Sequence, residues 1–386
     1  MLFSRKLHGQ LAGLETPFYY YNLSLLQETL DSAKKAADKR GFHVHYALKA
    51  NFNDRLLKSI QASGFGADCV SGNEVQKAID MGFDAGKITF AGVGKSDKEI
   101  ILALNHHIFA FNVESIQEME VINELAGQLG VKANVSLRIN PNVDAHTHHY
   151  ITTGLDENKF GVPTSELERA ASVIRNAAHV ELIGLHFHVG SQITDMNVFK
   201  SLCVKVNEWK SWFEERGTVI KVLNVGGGLG VDYHHPDEQP IPDFDTYFDI
   251  FDKFLERGPH QEVHFELGRA LVAQCGSLVS KVLYTKSGVK KHFLVLDAGM
   301  TELMRPALYQ AYHKMERVGE TEEPIVNYDV VGPICESSDC FGKEVPLPES
   351  KRGDLIAIRT AGAYGEVMAS RYNLREEIRY VYSDTI

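Results

Sequence analysis

The feature that most constrains the fold of this chain is an alternation of short apolar segments with longer amphipathic ones between residues 42 and 269. Eight apolar segments have the length of β-strands, and they cover residues 42–48, 66–70, 87–91, 108–112, 134–139, 181–188, 220–225 and 262–267. Amphipathic segments with the period of an α-helix separate them. Strands that alternate with helices form a parallel sheet, and eight of them in about 230 residues is the number that closes a (β/α)8 TIM barrel. An open, doubly wound sheet is the alternative.

The sequence changes character after Arg269, where helical periodicity becomes rare. Five strand-like segments follow, at residues 276–284, 290–296, 325–331, 354–360 and 378–383. They predict a second, mainly β domain at the C-terminal end. We therefore expect an α/β protein with a barrel domain at residues 22–270 and a β domain built from residues 1–21 and 271–386.

Composition excludes several classes of function. The 386 residues include 40 Lys and Arg against 51 Asp and Glu, a formal net charge of −11. An acidic chain without a basic run is not suited to binding nucleic acid through its phosphates, and no apolar run reaches the roughly 18 residues of a membrane helix. The five cysteines lack Cys-x-x-Cys spacing, which predicts reduced thiols, a cytoplasmic location and no zinc site. No metal ligand is assigned.

Two strand ends carry residues that can take part in catalysis or ligand binding. In a barrel the active site lies at the C-terminal ends of the strands. Lys49 directly follows the first strand, where desolvation favours the neutral, nucleophilic amine, although a lysine at a strand end also occurs for purely structural reasons. His186 and His188 lie two apart on the sixth strand and so share a face. They are interpreted as two metal ligands, as an aromatic surface for a planar cofactor, or as structural histidines. Ser191 follows at a turn where its hydroxyl can contact an anion.

Two further strand ends complete the pattern. Gly226, Gly227 and Gly228 follow the seventh strand, at the usual phosphate site of such barrels, and allow backbone N–H groups to approach an anion. Glu266 ends the eighth strand with Arg269 three residues later, a pair suited to a ring nitrogen and an anion, or to a structural ion pair. An amine nucleophile, an aromatic surface, a phosphate site and a carboxylate together predict pyridoxal 5'-phosphate as the ligand.

The same segments resemble the fold type III pyridoxal-phosphate decarboxylases, whose motifs occur in the same order over nearly the whole chain. The matching segments are 46–51 (YALKAN), 188–192 (HVGSQ), 226–228 (GGG), 266–269 (ELGR), 335–339 (CESSD) and 361–365 (AGAYG). Segments 153–161 and 304–309 are similar to the diaminopimelate-decarboxylating branch of that family. The resemblance implies an alanine-racemase-like barrel with a β domain, and a homodimer with shared active sites. It implies decarboxylation of meso-2,6-diaminopimelate to L-lysine through an external aldimine, the last step of lysine biosynthesis.

The resemblance also implies roles for individual residues. Lys49, Glu266, His188 and Cys335 are expected to be catalytic: Lys49 holds the cofactor, Glu266 pairs with its ring nitrogen, His188 stacks on the ring, and Cys335 of the neighbouring subunit returns a proton. Further cofactor contacts are expected from Ser191, Gly226, Gly227, Gly228, Gly268, Arg269 and Tyr364. The substrate, an amino acid charged at both ends, is expected to contact Arg269, Arg305, Tyr309, Glu336 and Tyr364.

Two departures from the family pattern and three other functions remain to be tested. Leu267 replaces a usual proline, and Ser338 replaces a glycine, which disfavours a positive φ there. The alternatives are a decarboxylase of another basic amino acid or polyamine precursor, a metal-dependent TIM-barrel hydrolase that uses His186 and His188, and a cofactor carrier without turnover.

Overall fold

The structure is a computed structural model that describes residues 5–141, 143, 159–319 and 321–386. The strands are β1 (Phe18–Tyr21), β2 (Phe42–Ala47), β3 (Gly66–Cys69), β4 (Ile88–Phe90), β5 (Ala110–Val113), β6 (Ala133–Arg138), β7 (Val180–His186), β8 (Val222–Asn224), β9 (Glu262–Leu267), β10 (Gly276–Ser287), β11 (His292–Leu296), β12 (Met315–Arg317), β13 (Ile325–Val331), β14 (Cys340–Pro348), β15 (Leu355–Ile358) and β16 (Arg379–Tyr382).

Helices precede and separate these strands. They are α1 (Arg5–Leu11), α2 (Leu23–Asp38), α3 (Asp54–Ala62), α4 (Gly72–Asp80), α5 (Asp97–Asn105), α6 (Ile116–Leu129), α7 (Leu167–Asn176), α8 (Met196–Glu214), α9 (Phe244–Phe254), α10 (Arg269–Val272) and α11 (Arg305–Tyr309). Local signals in the sequence set several boundaries. Ser71 and Ser115 each accept a hydrogen bond from the backbone N–H three residues later and so begin α4 and α6. Gly130 ends α6 with a φ of 67°.

The chain divides into two compact units. One comprises residues Leu30–Gly230 and Asp243–Gly268, and the other comprises Met1–Thr29, Val231–Pro242 and Arg269–Ile386. Residues 22–29, 231–242, 269 and 270 thus group with the second unit, although they lie within the 22–270 range that the sequence predicted for the barrel. None of the described helices has the length and apolar character that crossing a bilayer requires.

The first unit contains a closed barrel in which strands β2 to β9 follow one another in chain order. Every neighbouring pair is parallel, and β2 pairs with β9 to close the ring. All eight predicted strands are present, so the barrel prediction is confirmed and the open sheet was wrong. The sixth strand ends at His186 rather than His188. On the outer face, Phe265 packs against Phe42 and Phe248, with ring centroids 5.2 and 4.8 Å away.

The second unit is mainly β, as predicted. Its sheet has the order β12-β15-β10-β11-β13-β14, and β1 joins it by pairing antiparallel with β10 and parallel with β16. Strands β12 and β14 were not predicted. The two prolines of β14, Pro346 and Pro348, made that segment resemble a loop. Because β14 lies at the edge of this sheet path, it accommodates residues that lack a backbone N–H.

Candidate active site

Lys49 lies at the C-terminal end of the barrel, in the single 3-10 turn Leu48–Ala50 that directly follows β2. Its Nζ donates a hydrogen bond to Oδ2 of Asp68 at 2.7 Å. Asp68 belongs to β3 and is completely buried. Burial raises the pKa of the Asp68 carboxyl to about 7, reinforced by the charge of Glu266 and opposed by Lys49. The lysine is therefore held by a carboxyl group that takes up a proton close to neutral pH.

Glu266 is the central acceptor of the barrel interior. Asn112 on β5 and Asn224 on β8 each donate an Nδ2–H to its Oε1, both at 2.8 Å, and His186 on β7 lies with Nε2 3.0 Å from its Oε2. Burial opposes ionisation of Glu266. The charge and hydrogen bond of His186, together with the charge of Lys49, outweigh burial and hold the pKa of this carboxyl well below its usual range. Four strands thus position one ionised carboxylate.

Three residues of this cluster, Asp68, Asn112 and Asn224, were not predicted from the sequence. Each is a lone polar residue inside an otherwise apolar strand, as in the segments GADC and AFNV. Polar side chains that point into a barrel are costly to bury without a partner. That single interruption of an apolar run is the signal that could have identified them.

His186 and His188 have different partners, although the sequence paired them. His186 is committed to Glu266, whereas His188 lies beyond the end of β7 and accepts a hydrogen bond at Nδ1 from the backbone N–H of Gly227 at 3.3 Å. Burial and the charges of Arg138 and Lys49 lower the pKa of His188 to about 3. The two rings hydrogen-bond to different groups, and among the described residues this pair belongs to no cluster of metal-ligating atoms, so His188 is better suited to an aromatic contact than to a metal ion shared with His186.

The triple glycine is required by close backbone packing. A Cβ at Gly227 would lie 1.9 Å from the carbonyl oxygen of Glu266, and one at Gly226 would lie 2.2 Å from that of Phe187. Gly226 also has a φ of 71°. Gly268 packs tightly too, since its Cβ would meet that of Ala50 at 2.9 Å. The loop therefore brings bare backbone next to Glu266, while Ser191 lies partly exposed in the loop after β7.

The second unit holds two buried arginines around one phenol. Nη1 of Arg269 and Nη1 of Arg305 donate to the hydroxyl of Tyr233 at 2.5 and 3.0 Å. Arg305 also donates to Nε2 of His313 at 2.9 Å. Nε2 is free to accept because His313 donates its Nδ1–H to the carbonyl of Arg359. Among the described residues no carboxylate forms an ion pair with Arg305, which is only 6% exposed. A buried cation without a carboxylate partner is suited to an anionic ligand.

The remaining predicted residues lie in the same unit. Tyr364, at a φ of 55°, places its ring 4.8 Å from the guanidinium of Arg269. Cys335 is exposed, and its backbone N–H donates to Oδ1 of Asn373. Exposed Glu336 accepts a hydrogen bond from Tyr372 at 2.8 Å.

Three other predicted positions have simple outcomes. Tyr309 ends α11, which Arg305 begins. Ser338 does not have a positive φ, so its replacement of glycine imposes no backbone strain. Of the segment 153–161, residues 153–158 lie outside the described residues.

The donor set of the barrel fits the pyridoxal phosphate that the sequence predicted. Within the part of the chain that the structure describes, three buried atoms around Lys49 and Glu266 have no hydrogen-bond partner: Asp68 Oδ1, Asn112 Oδ1 and His186 Nδ1. Unpaired buried polar atoms next to an ionised carboxylate and an amine indicate room for a polar ligand. Hence the cluster has the chemistry that a protonated ring nitrogen and an aldehyde require.

Comparison with known proteins decides the family. Residues 23–273 match the model of the pyridoxal-dependent decarboxylases, pyridoxal binding domain. The chain is 57% identical over 374 residues to the diaminopimelate decarboxylase of Bacteroides thetaiotaomicron, covering 97% of each chain. The chain belongs to the diaminopimelate decarboxylase family. It is accordingly a pyridoxal-phosphate-dependent decarboxylase, and the metal-dependent hydrolase and the inert carrier were wrong.

Other relatives of this decarboxylase support the same family assignment. The diaminopimelate decarboxylase of Aquifex aeolicus is 39% identical over 93% of this chain and 84% of its own. The crystal structure of the Helicobacter pylori diaminopimelate decarboxylase complexed with L-lysine has a TM-score of 0.92 and 39% identity, covering 98% of this chain and 94% of that one. The arginine decarboxylase of Paramecium bursaria Chlorella virus, at 21% identity and a TM-score of 0.86, shows the shared fold alone.

Proposed function

We propose that this enzyme decarboxylates meso-2,6-diaminopimelate to L-lysine and carbon dioxide, as the last step of lysine biosynthesis. The observation that carries the proposal is 57% identity to a diaminopimelate decarboxylase over 97% of both chains. The lysine-bound relative from H. pylori supports it, because lysine is the product that this reaction would form.

The barrel residues prepare the site for the cofactor. Lys49 would carry the cofactor, and Glu266 would pair with the ring nitrogen as a carboxylate that Asn112, Asn224 and His186 already hold in place. Preorganised donors of this kind cost no rearrangement during the reaction. When bound, pyridoxal phosphate supplies an electron sink for the pair left behind by departing carbon dioxide.

Asp68 exchanges a proton with Lys49. Its carboxyl group accepts a hydrogen bond from Nζ and has a pKa of about 7, so it can hold a proton when the lysine is neutral and release it when the lysine is charged. This exchange keeps the pair near electrical neutrality inside the barrel. The role makes Asp68 a partner that prepares the amine for attachment.

The other barrel residues hold the rest of the cofactor. Ser191 and Gly226–Gly228 would hold its phosphate, and His188 would contact its ring as a neutral imidazole, since burial lowers its pKa to about 3. Gly268, Arg269 and Tyr364 complete the phosphate contacts. These assignments follow from the family motifs.

Substrate selection depends on the end of diaminopimelate that does not react. Arg305 and Arg269 bind the distal carboxylate, and Glu336 binds the distal ammonium, with Tyr309 and Tyr364 alongside. Support comes from the burial of Arg305 without a carboxylate partner among the described residues. Substrates that lack the second carboxylate leave this buried cation unpaired, which is costly.

The enzyme acts as a cytoplasmic homodimer in which Cys335 from one subunit serves the site of the other. Cys335 is exposed in the single chain. A side chain that acts in the active site of a neighbouring subunit must be exposed in this way. Its thiol returns a proton to the carbon that has lost carbon dioxide and is then reprotonated from water. All five cysteines are unpaired, consistent with a reducing compartment.

The test is conversion of meso-diaminopimelate by the purified, cofactor-loaded enzyme, with product identified by chromatography. We expect L-lysine and carbon dioxide in equal amounts from the wild type. Lys49→Ala should form neither product and should take up no borohydride-stable cofactor. Product formation by Lys49→Ala at the wild-type rate would overturn the assignment of Lys49.

A further inference from the structure

A second polar cluster lies at the other end of the barrel. Side chains alternate along a strand, so Glu262, His264 and Glu266 share one face of β9, while Phe265 packs on the opposite face against α9. Four residues of a strand span roughly 13 Å. Glu262 and His264 therefore lie at the amino-terminal end of β9, well away from the active-site end.

Three ligand groups meet there. His43 on β2 is directly opposite His264 on β9 in the strand register, and their rings stack with centroids 4.7 Å apart. Glu262 Oε2 lies 3.1 Å from His264 Nε2. One ligand atom from each of the three residues lies within 4.8 Å of the others.

The hydrogen bonds of His45 determine which ring nitrogen of His264 faces Glu262. The carbonyl of Lys87 can only accept, so His45 Nδ1, 2.9 Å away, carries a proton. His45 is 3% exposed, and a second proton would bury a charge there. A neutral His45 must accept at Nε2 from Nδ1 of His264, 2.8 Å away. The other nitrogen of His264, Nε2, then faces the Glu262 carboxylate.

His264 Nε2 and Glu262 Oε2 lie 3.1 Å apart, so a metal ion can take the place of the proton of the hydrogen bond between them. Two ligands of a tetrahedral zinc ion, each about 2.1 Å from the metal, are separated by about 3.4 Å. The His264–Glu262 separation is close to that value. The third ligand atom, on the exposed side chain of His43, lies within 4.8 Å of the other two. His45 supplies the hydrogen bond to the ligand's other nitrogen that metal-binding histidines usually have.

The cluster is also accessible. It lines a cavity of about 650 Å³ formed by the starts of several barrel strands, with Lys34, Asp38 and Lys87 among the other lining residues. The side chain of Glu262 is 54% exposed, whereas that of His264 is 4% exposed. An ion can thus enter from solvent and meet a fixed, buried ligand.

We propose that His43, Glu262 and His264 form a binding site for a divalent transition-metal ion of the zinc type, with water as the fourth ligand. Two imidazoles and one carboxylate favour zinc or cobalt over calcium and magnesium, which prefer oxygen ligands. The ligands come from β2 and β9, the first and last strands of the barrel. The ion would join the two strands that close the ring and stabilise the barrel.

The site departs from the sequence-based expectation of a protein without metal. More than two hundred residues separate His43 from Glu262. No spacing motif marks such a site, because only closure of the barrel brings its ligands together.

The test is titration of the tag-free holoenzyme with Co²⁺, followed by the visible absorption of the tetrahedral ion, and displacement with Zn²⁺. We expect one saturable site per chain. His43→Gln and Glu262→Gln should each abolish the tetrahedral spectrum, and His45→Phe should weaken binding about 10–100-fold. His235→Gln is the matched control, since His235 pairs with Asp232 at 3.4 Å in the other unit and, within the part of the chain that the structure describes, belongs to no group of three potential ligands.

Thermal unfolding gives a second readout. Zn²⁺ should raise the Tm of the wild type and of His235→Gln, and leave that of His43→Gln and Glu262→Gln unchanged. Mg²⁺ should have no effect on any of them. The proposal is overturned if the wild type shows no saturable Co²⁺ binding, or if binding persists unchanged in both His43→Gln and Glu262→Gln.

Discussion

Replacement of Glu266 by glutamine tests the most ordered feature of the active site. The change keeps the size of the side chain and removes its charge. The amide oxygen can still accept from Asn112 and Asn224 at the position of Oε1. The new NH2 group then faces Nε2 of His186, which is 3.0 Å from Oε2 in the wild type. The variant therefore loses one charge-assisted hydrogen bond and the carboxylate that is proposed to face the cofactor ring.

Two magnitudes follow from this geometry. A hydrogen bond to a charged group contributes about 1.5–3 kcal/mol, so the free energy of unfolding should fall by about that amount. Removing a preorganised electrostatic contact from an active site costs about 10²–10³ in kcat. Because the binding groups for substrate are untouched, the KM for meso-diaminopimelate should change little.

The assay combines urea unfolding with steady-state decarboxylation, and the absorbance of bound pyridoxal phosphate confirms loading of each sample. Glu256→Gln is the control, because it makes the same substitution on an exposed side chain of the same unit. A fully loaded Glu266→Gln enzyme with the kcat of the wild type would refute the reasoning, since the ring nitrogen would then need another partner.

Three further changes test other parts of the account. Arg305→Lys keeps the charge but loses the fork that binds a carboxylate, so KM for meso-diaminopimelate should rise about tenfold or more with a smaller change in kcat; equal KM values would remove Arg305 from the substrate site. Burial raises the pKa of Glu366, which accepts from the Tyr21 hydroxyl, from 4.5 to about 7. The folded state then holds this proton more tightly than the unfolded chain does, so the contribution of Glu366 to the free energy of unfolding is greatest below pH 4.5 and falls by about 3 kcal/mol as the pH rises to 7. Glu366→Gln should flatten that part of the urea-unfolding profile, and an unchanged slope would contradict the assignment. Mixing inactive Lys49→Ala with inactive Cys335→Ala should restore about one quarter of wild-type activity if the active sites are shared, because one site of a mixed dimer carries neither defect. If labelled subunits exchange and no activity is recovered, Cys335 either serves the site of its own chain or has no part in catalysis.

The barrel was predictable because its signal is repeated. Each strand is a short apolar run between amphipathic helices, and eight repetitions leave few folds that can bury them all. The β unit was less predictable, since β12 is three residues long and β14 contains two prolines. A short edge strand carries little sequence information, and its pairing partner is chosen by the rest of the sheet.

Some active-site residues were predictable from the sequence and others were not. Lys49, Glu266 and the triple glycine stand at strand ends, where chemistry in a barrel is expected. Asn112 and Asn224 were missed because an asparagine inside a strand gives no hint of its partner. Only the closed ring brings both amides to one carboxylate oxygen. His43 and His264 were missed for the same reason.

The most direct test of the proposed function is the kcat/KM for carbon dioxide release from meso-diaminopimelate, measured beside L-lysine, L-ornithine and L-arginine with the same cofactor-loaded enzyme. A buried Arg305 that lacks a carboxylate partner among the described residues predicts a strong preference for the substrate with a second carboxylate. We expect kcat/KM for meso-diaminopimelate to exceed the other three by about 10³ or more, because a substrate without the second carboxylate leaves charged groups of a buried site unpaired. A higher kcat/KM for any of the other three amino acids would contradict the proposal.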